Sequence, residues 1–220
     1  MQTANQTKSY YLYKLLGASF FLLPEKAIYW KEAKTLMLAD LHLGKAAHFR
    51  KSGIQVPESV HISDYIRMKK LIGTYNPVRI LILGDLFHSD LNPEWDRFAT
   101  WIHEFKYISL VLIRGNHDIL PENIYSLANL EVHEDSFTDG PFSFAHQVTD
   151  HYPGYVISGH IHPAVKISGE AKQSMTLPCF YFTGSYGILP AFGNFTGMAK
   201  IYPAENDDIF VVLENAVMKI

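Results

Sequence analysis

The chain has 220 residues, of which 48% are hydrophobic and 19% are charged, and its formal net charge is −3. This composition excludes extended disorder, the net charge argues against a protein that coats nucleic acid, and the single Cys179 excludes an intramolecular disulfide or a cysteine-rich zinc module. Eleven histidines beside one cysteine point to metal or proton chemistry if the imidazoles cluster.

Short apolar runs rich in β-branched and aromatic residues predict strands along most of the chain. The stretch 15–23 is followed by Pro24 without a cleavage motif, so we interpret it as a buried strand rather than a secretory signal. Residues 1–9 are polar and are expected to be loose. The predicted strands are residues 20–23, 35–38, 78–83, 108–113, 142–145, 155–157, 180–183, 197–202 and 209–213.

Three helical patterns lie between strands of the first half. The first, residues 58–74, carries apolar residues near helical spacing, namely Ile62, Tyr65, Ile66 and Ile72. The second begins at the cap signal Asn92, followed by proline, and repeats aromatic and aliphatic residues every 3.6 positions to residue 105. The third is short, at 121–128. Because the second half is nearly all strand, the chain predicts two packed sheets with helices outside, in a single domain at 1–220.

Five of the predicted strands run directly into a polar cluster. These clusters are D-L-H at 40–42, G-D-L-F-H at 84–88, R-G-N-H-D at 114–118, H at 146 and G-H-I-H at 159–162. Ligands of α/β sheets bind outside the carboxyl ends of the strands. The sequence therefore predicts that Asp, His and Asn side chains meet on one rim.

The candidate ligands combine carboxylate, amide and imidazole donors without sulfur. This set suits Mn²⁺, Fe²⁺ or Zn²⁺ and is too rich in nitrogen for Ca²⁺. Seven side chains are too many for one open catalytic ion, but they suit two ions about 3.5–4 Å apart that share a carboxylate. His151 lies close to His146 in the sequence and is an alternative candidate for that ligand position. The candidates are Asp40, His42, Asp85, Asn116, His146, His160 and His162.

The five clusters, in this order, resemble the motifs of the calcineurin-like metallophosphoesterase superfamily. The run D-L-H-L-G-K at 40–45 and the segment 190–197 further resemble one branch, the bacterial ligase-associated DNA damage response endonucleases. The superfamily resemblance spans residues 40–162 and its ordered motifs are specific. The branch resemblance covers most of the chain, with less specific motifs. It implies a four-layer αββα sandwich with two mixed sheets.

The resemblance also implies a division of ligands, with Asp85 bridging two ions. A water between two cations is partly hydroxide near neutral pH and would attack phosphorus in line with the leaving oxygen. The ions would offset charge on the non-bridging oxygens. One ion would be held by Asp40, His42, Asp85 and His162, and the other by Asp85, Asn116, His146 and His160.

Four further residues are candidates for catalysis. His117 follows a proposed ligand and is the candidate proton donor to the leaving group, with Asp118 orienting its imidazole. His88 and Arg114 are candidates for contacting phosphate oxygens. Structural alternatives stay open. Asp118 could cap a helix, and Arg114 could cap the end of a strand. His88 could support a ligand residue instead of contacting phosphate.

The substrate class is left with two alternatives. Residues 40–79 hold seven Lys or Arg against three Asp or Glu, and Lys45, Arg50, Lys51, Arg67, Lys69 and Lys70 could face a phosphate backbone or form a solvated helix face. An open groove would favour DNA, and a narrow closed cleft would favour a small-molecule phosphodiesterase, phosphomonoesterase or pyrophosphatase. A non-enzymatic module that kept the fold would lack ligands, and none is missing.

The expected cofactors are two divalent ions, with Mn²⁺ as the first choice. The expected substrate is DNA or another nucleotide phosphodiester, and the resemblance adds DNA ligase or helicase repair partners. Because no apolar run approaches the roughly 18 residues of a membrane span, we expect a cytoplasmic chain without membrane contact. A homodimer is left open.

Overall fold

A computed structural model describes residues 10–46, 49, 53, 60–88, 90–169 and 173–220. The segment 1–9, which is expected to be loose, and the predicted start of the first helix lie outside these residues. Within the described part of the chain, no helix is long and apolar enough to cross a membrane.

The first sheet has seven strands within the described residues, in the order of the chain. The first four strands form an antiparallel meander, and the last four run parallel. Parallel pairing aligns the carboxyl ends of β4, β5 and β6 on one edge. The strands are β1 (Tyr11–Leu15), β2 (Ala18–Leu23), β3 (Ala27–Trp30), β4 (Thr35–Leu38), β5 (Arg79–Leu83), β6 (Ser109–Ile113) and β7 (Leu130–His133).

The second sheet is mixed and has nine strands in the described residues. Its centre is the parallel set β9, β10 and β13, and antiparallel strands flank it on both sides. The predicted strand 197–202 is reduced to β14. The strands are β8 (Ser136–Asp139), β9 (Phe142–Ala145), β10 (Tyr155–Ser158), β11 (Pro163–Ser168), β12 (Ser174–Phe182), β13 (Tyr186–Ile188), β14 (Ala199–Lys200), β15 (Asp208–Val212) and β16 (Val217–Lys219).

The central strands of the first sheet are buried on both faces. In β5, Ile80 and Ile82 pack among the helices, whereas Leu81 and Leu83 point toward the second sheet. Between the sheets they meet an aromatic layer that includes Phe144 of β9. Burial on both faces explains why these strands are continuous apolar runs rather than alternating ones.

The helices whose bounds fall within the described residues pack on the outer face of the first sheet. They are α1 (Val60–Tyr75), α2 (Pro93–Ile102), a 3₁₀ turn (His103–Phe105) and α3 (Glu122–Leu127). The predicted cap is confirmed, because the Asn92 side chain accepts the Glu94 N–H at 3.0 Å. The predicted face of α1 is confirmed in part, because Ile72 is buried and Tyr65 packs against the core. It is wrong at Ile62 and Ile66, which are 55% and 64% exposed, whereas Met68 is buried.

The α/β class and the two mixed sheets are confirmed. The described residues supply helices to one sheet only, so the outer face of the second sheet carries a small apolar cluster that includes Cys179 and Val211. The connections within the second sheet contain no helix among the described residues, and even the parallel neighbours β9 and β10 are joined by an irregular segment at 146–154.

Candidate metal centre

The five polar clusters meet where the carboxyl ends of the two sheets face each other. The Asp40 N–H donates to the carbonyl of Gly84 at 3.1 Å, which joins the first two clusters within one sheet. The carboxylate of Asp40 accepts the His160 N–H at 3.0 and 3.1 Å, which joins them to the other sheet. The predicted common rim is therefore present.

Five of the predicted ligands have left-handed backbone conformations. The φ angles are 54° at Asp40, 49° at His42, 52° at Asp85, 69° at His160 and 53° at His162. Such residues cost about 1–3 kcal/mol each and persist where the surroundings impose them, often at functional sites. The paired ligands thus lie beyond the ends of β4 and β10, and left-handed turns bring them together rather than strand alternation.

One group of donor atoms consists of Asp40, His42 and His162, whose ligand atoms lie within 4.8 Å of one another. The Nε2 of His162 is 3.4 Å from Oδ1 of Asp40. Its Nδ1 lies 3.1 Å from the carbonyl of Gly197 and donates to it, which leaves the Nε2 lone pair directed at the group. The sequence signal did not identify this role of the Gly197 carbonyl.

A second group consists of Asp85, His146 and His160. The Nδ1 of His146 donates to the carbonyl of Leu83 at 3.0 Å, so Nε2 keeps its lone pair. That Nε2 lies 3.5 Å from Oδ1 of Asp85 and 3.0 Å from Oδ1 of Asn116. The structure thus brings His146 into the cluster.

Asp85 stands between the two groups, with one oxygen toward each. Oδ2 lies 3.5 Å from Nε2 of His42, and Oδ1 lies 3.5 Å from Nε2 of His146. The backbone N–H of His117 also donates to Oδ1 at 3.0 Å. This carboxylate is oriented so that each oxygen can serve a different cation.

The donor set fits divalent cations. Asp40 and Asp85 are 0% and 2% exposed, and among the described residues imidazoles are the only basic groups within 4 Å of their carboxylates. Buried carboxylates need positive partners. The Nε2 of His42 is buried and makes no hydrogen bond. Burial, with the positive charge of Lys45 and of neighbouring imidazoles, lowers the pKa of His42 to about 2, so its ring is neutral and can ligate.

Glycines in three clusters make room for ligands of other clusters. A Cβ on Gly84 would lie 2.1 Å from Nδ1 of His146, and one on Gly115 would lie 2.3 Å from Oδ1 of Asp85. A Cβ on Gly159 would lie 2.6 Å from Oδ2 of Asp40. Each of these glycines therefore allows the backbone to approach a candidate ligand from another cluster.

His88 and His117 lie at the mouth of the cluster. Their rings stack with centroids 4.1 Å apart and an interplanar angle of 29°. The Nδ1 of His88 is 3.2 Å from Nδ1 of His42, and the His117 ring centroid is 5.2 Å from that of His42. Both residues are half-buried, so the structure brings them together beside the first group. Gln147, which the sequence did not indicate, has its Nε2 3.0 Å from Nε2 of His160.

Asp118 and Arg114 have structural contacts in place of the predicted ones. The carboxylate of Asp118 accepts the N–H groups of Phe87 and Gly115, both at 2.9 Å, rather than orienting His117. Burial raises the pKa of Asp118 to about 7, against the lowering effect of these two N–H donors. The Arg114 guanidinium donates to the Asp118 carbonyl at 2.9 Å and to a carboxylate of Glu134 at 3.0 Å. It therefore fastens the loop, at the edge of a hollow that Asn116 and His146 also line.

The basic residues near the site differ in burial and in the groups that they contact. The Lys69 and Lys70 ammoniums pair with glutamates at 3.3 and 2.9 Å and are exposed, as expected of a solvated helix face. The Arg67 guanidinium is largely buried and pairs with Asp64 at 2.9 Å. Lys45 is half-buried near Asp85, and burial lowers its pKa. Arg50 and Lys51 lie outside the described residues.

Two hollows flank the cluster. One, of about 160 Å³, is lined by His162 and by the loop that contains Asn194. The other, of about 290 Å³, is lined by Asn116, His146 and Tyr152. One hollow therefore adjoins each group of candidate ligands.

The chain is similar to a known protein family and to two solved structures. A family model described as calcineurin-like phosphoesterase matches residues 33–146. A nuclease MPE from Pseudomonas putida has a similar solved structure, with 28% sequence identity, a TM-score of 0.82, and coverage of 96% of this chain and 100% of that chain. Yfce, a phosphoesterase from E. coli, is 14% identical with a TM-score of 0.45 and covers 84% and 97%. A search of curated proteins finds no match.

Proposed function

The chain belongs to the calcineurin-like phosphoesterase family, and on this premise we propose that it is a two-metal phosphodiesterase whose substrate is DNA. It is a metal-dependent phosphoesterase, a hydrolase of ester bonds. The finer proposal depends on one observation above all. The two oxygens of the buried Asp85 carboxylate each face a separate group of ligand atoms, at 3.5 Å on both sides.

The residues would hold the ions in two sets that share Asp85. Bound divalent ions supply a water of lowered pKa and neutralise charge on the phosphoryl oxygens. We propose Mn²⁺ as the native ion, because it accepts this mixture of carboxylate, amide and imidazole donors. The first set is Asp40, His42, Asp85 and His162, and the second is Asp85, Asn116, His146 and His160.

The leaving oxygen needs a proton, and His117 is the proposed donor. Its backbone N–H bonds Asp85, which fixes the residue beside the ligands. Its ring is half-buried and stacks on His88, so we propose that His88 orients it, with contact to a phosphate oxygen as the further role. General acid catalysis of this kind contributes about 10²–10⁴-fold in rate.

Two observations support DNA as the substrate. The similar structure from Pseudomonas putida is a nuclease and aligns along nearly the whole chain. A hollow adjoins each of the two groups of candidate ligands, which leaves room for a polymer that extends past the scissile bond. A repair role with ligase or helicase partners is proposed from the motif resemblance alone. A cytoplasmic location is proposed because the sequence has no apolar run of membrane-spanning length.

Hydrolysis of bis(p-nitrophenyl) phosphate with added Mn²⁺ tests the enzyme. Asp85→Asn removes one bridging charge and is expected to abolish activity and lower the bound metal, whereas the exposed Asp96→Asn serves as the matched control. Activity that survives in Asp85→Asn contradicts the shared carboxylate. Cleavage of single-stranded or nicked DNA, with rates that fall as salt rises, then tests the substrate. A monoester rate well above the diester rate would favour a small-molecule phosphomonoesterase.

A further inference from the structure

The smaller hollow beside His162 contains one ammonium group. Lys26 comes from the turn between β2 and β3 and lines the hollow together with His162, Asn194 and Thr196. The hollow has a volume of about 160 Å³, which is below the roughly 300 Å³ of a pocket for a drug-sized molecule, so the hollow suits a small chemical group. Neither the ligand sets nor the proposed proton donor uses this residue.

Lys26 has no carboxylate partner within 4 Å among the described residues, and Nζ reaches only the Gly193 carbonyl, at 3.4 Å. The acids nearby are already engaged. Asp64 accepts from Arg67 and from the Asn194 N–H. Burial, reinforced by the charge of Arg67 and reduced by that of Asp64, lowers the pKa of Lys26 to about 8. An anion in the hollow would compensate this buried charge.

The wall of the hollow is fastened to the metal centre and to α1. Arg67 donates to the Phe192 carbonyl and, at 2.9 Å, to Oδ1 of Asn194. The Gly193 N–H donates to the Asp40 carbonyl at 3.1 Å, and His162 bonds the same loop at Gly197. The hollow therefore keeps a fixed position relative to two proposed ligands, and it does not need to be formed by a substrate.

We propose that this hollow binds the phosphate of a nucleotide that flanks the scissile bond, with Lys26 supplying the positive charge. The inference deepens the proposed function and rests on it, since a strand of DNA carries a phosphate at every nucleotide. A small diester such as bis(p-nitrophenyl) phosphate has no second phosphate. Lys26 would therefore distinguish a polynucleotide from a small phosphodiester without acting on the bond that breaks.

The test compares Lys26→Asn with wild type on two substrates with Mn²⁺. The φ angle at Lys26 is 64°, and Asn tolerates this left-handed conformation, so the turn is preserved while the charge is lost. For a single-stranded oligonucleotide, KM is expected to rise about tenfold with kcat unchanged. The dependence of log(kcat/KM) on log salt should become shallower by about 0.7. For bis(p-nitrophenyl) phosphate, both constants should be unchanged.

Lys69→Asn is the matched control, because Lys69 is exposed on α1 and should leave the kinetics of both substrates unchanged. Lys26→Arg should restore the wild-type KM for the oligonucleotide. Equal losses on both substrates would mean that Lys26 only supports the loop at Gly193, and an unchanged oligonucleotide KM would mean that no flanking phosphate binds. Either result overturns the proposal.

A binding measurement separates this inference from the proposed function. Anisotropy of a labelled oligonucleotide in EDTA reports binding without cleavage, and Lys26→Asn should weaken it about tenfold. If wild type hydrolyses the small diester but does not cut DNA, the proposed substrate fails. If Lys26→Asn also binds the oligonucleotide as wild type does, the flanking subsite is overturned as well.

Discussion

Gly115→Ala places one methyl group against the carboxylate that stands between the two ligand groups. The added Cβ would lie 2.3 Å from Oδ1 of Asp85 and 2.3 Å from its backbone nitrogen. Cβ atoms are essentially never closer than 3.0 Å to such neighbours, so something must move by about 0.7 Å. Because one of the two contacts is to backbone, a side-chain rotation cannot relieve the clash.

This displacement acts on stability and on catalysis by different amounts. Overpacking of this kind costs about 1–3 kcal/mol of unfolding free energy. A misplacement near 1 Å of groups that hold a substrate can lower kcat by about 100-fold. We therefore expect a moderately destabilised protein with a lower Mn²⁺ stoichiometry and a kcat reduced by about 100-fold.

The control is Gly73→Ala in α1. No atom lies within 4 Å of a Cβ added at Gly73, and a helical glycine is less stable than alanine by about 0.5–1 kcal/mol. This variant should be slightly stabilised with unchanged kcat. The measurements are urea unfolding in EDTA, bound Mn²⁺ by equilibrium dialysis, and hydrolysis of bis(p-nitrophenyl) phosphate. Wild-type kcat together with wild-type metal stoichiometry in Gly115→Ala would refute the reasoning.

Three further predictions separate catalytic from structural roles. His117→Asn should lower kcat on DNA by about 10²–10⁴-fold but have a smaller effect on bis(p-nitrophenyl) phosphate, whose leaving group needs no proton; equal losses would argue against a proton donor. Arg114→Ala should lower the urea midpoint yet leave KM for the diester within about threefold, and a large rise in KM would restore the predicted phosphate contact. Arg67→Met leaves Asp64 buried without its cation and should cost about 3 kcal/mol of unfolding free energy, against about 0.5 kcal/mol or less for the exposed Lys69→Met, as urea unfolding would report.

The strands that the sequence predicted best are those buried on both faces. Residues 35–38 and 142–145 match β4 and β9 at both ends, because each run is mainly apolar and is too short for a helix. The strand β1 was missed because Tyr, Leu and Lys alternate in it and it is only half-buried. An edge strand of this kind is decided by its pairing with β2 rather than by its own pattern.

The face of α1 could not be predicted from spacing alone. Ile62 and Ile66 fit the same helical spacing as the buried Ile72, yet both are exposed and Met68 is buried. The helix also uses Asp64 and Arg67 to hold the loop near residue 193. A buried ion pair interrupts the apolar pattern that marks the inner face of a helix. The same contact moves Arg67 from a predicted phosphate-facing or solvated position to a structural one.

The members of the site were predictable, but two of the neighbouring roles were not. The ordered motifs indicated that Asp40, Asp85 and the four histidines proposed as ligands share a rim, since parallel strands end on one edge. Asp118 and Arg114 lie in the same motif as Asn116, but aspartate and arginine side chains also satisfy backbone groups. Only the coordinates show that their donors and acceptors go to loop N–H and carbonyl groups.

The centre is held together by contacts between motifs rather than within them. The Asp40 carboxylate accepts an N–H from the motif at 159–162, and Asp85 accepts one from the motif at 114–118. His146 donates to a carbonyl beside Gly84, and in each pair a glycine leaves room for the other motif's side chain. A residue with a left-handed backbone conformation is strained on its own, so the conformation of each candidate ligand residue depends on a contact from a distant segment. The spacing within a motif is therefore constrained by geometry, whereas the length of chain between motifs is set only by the strands that carry them.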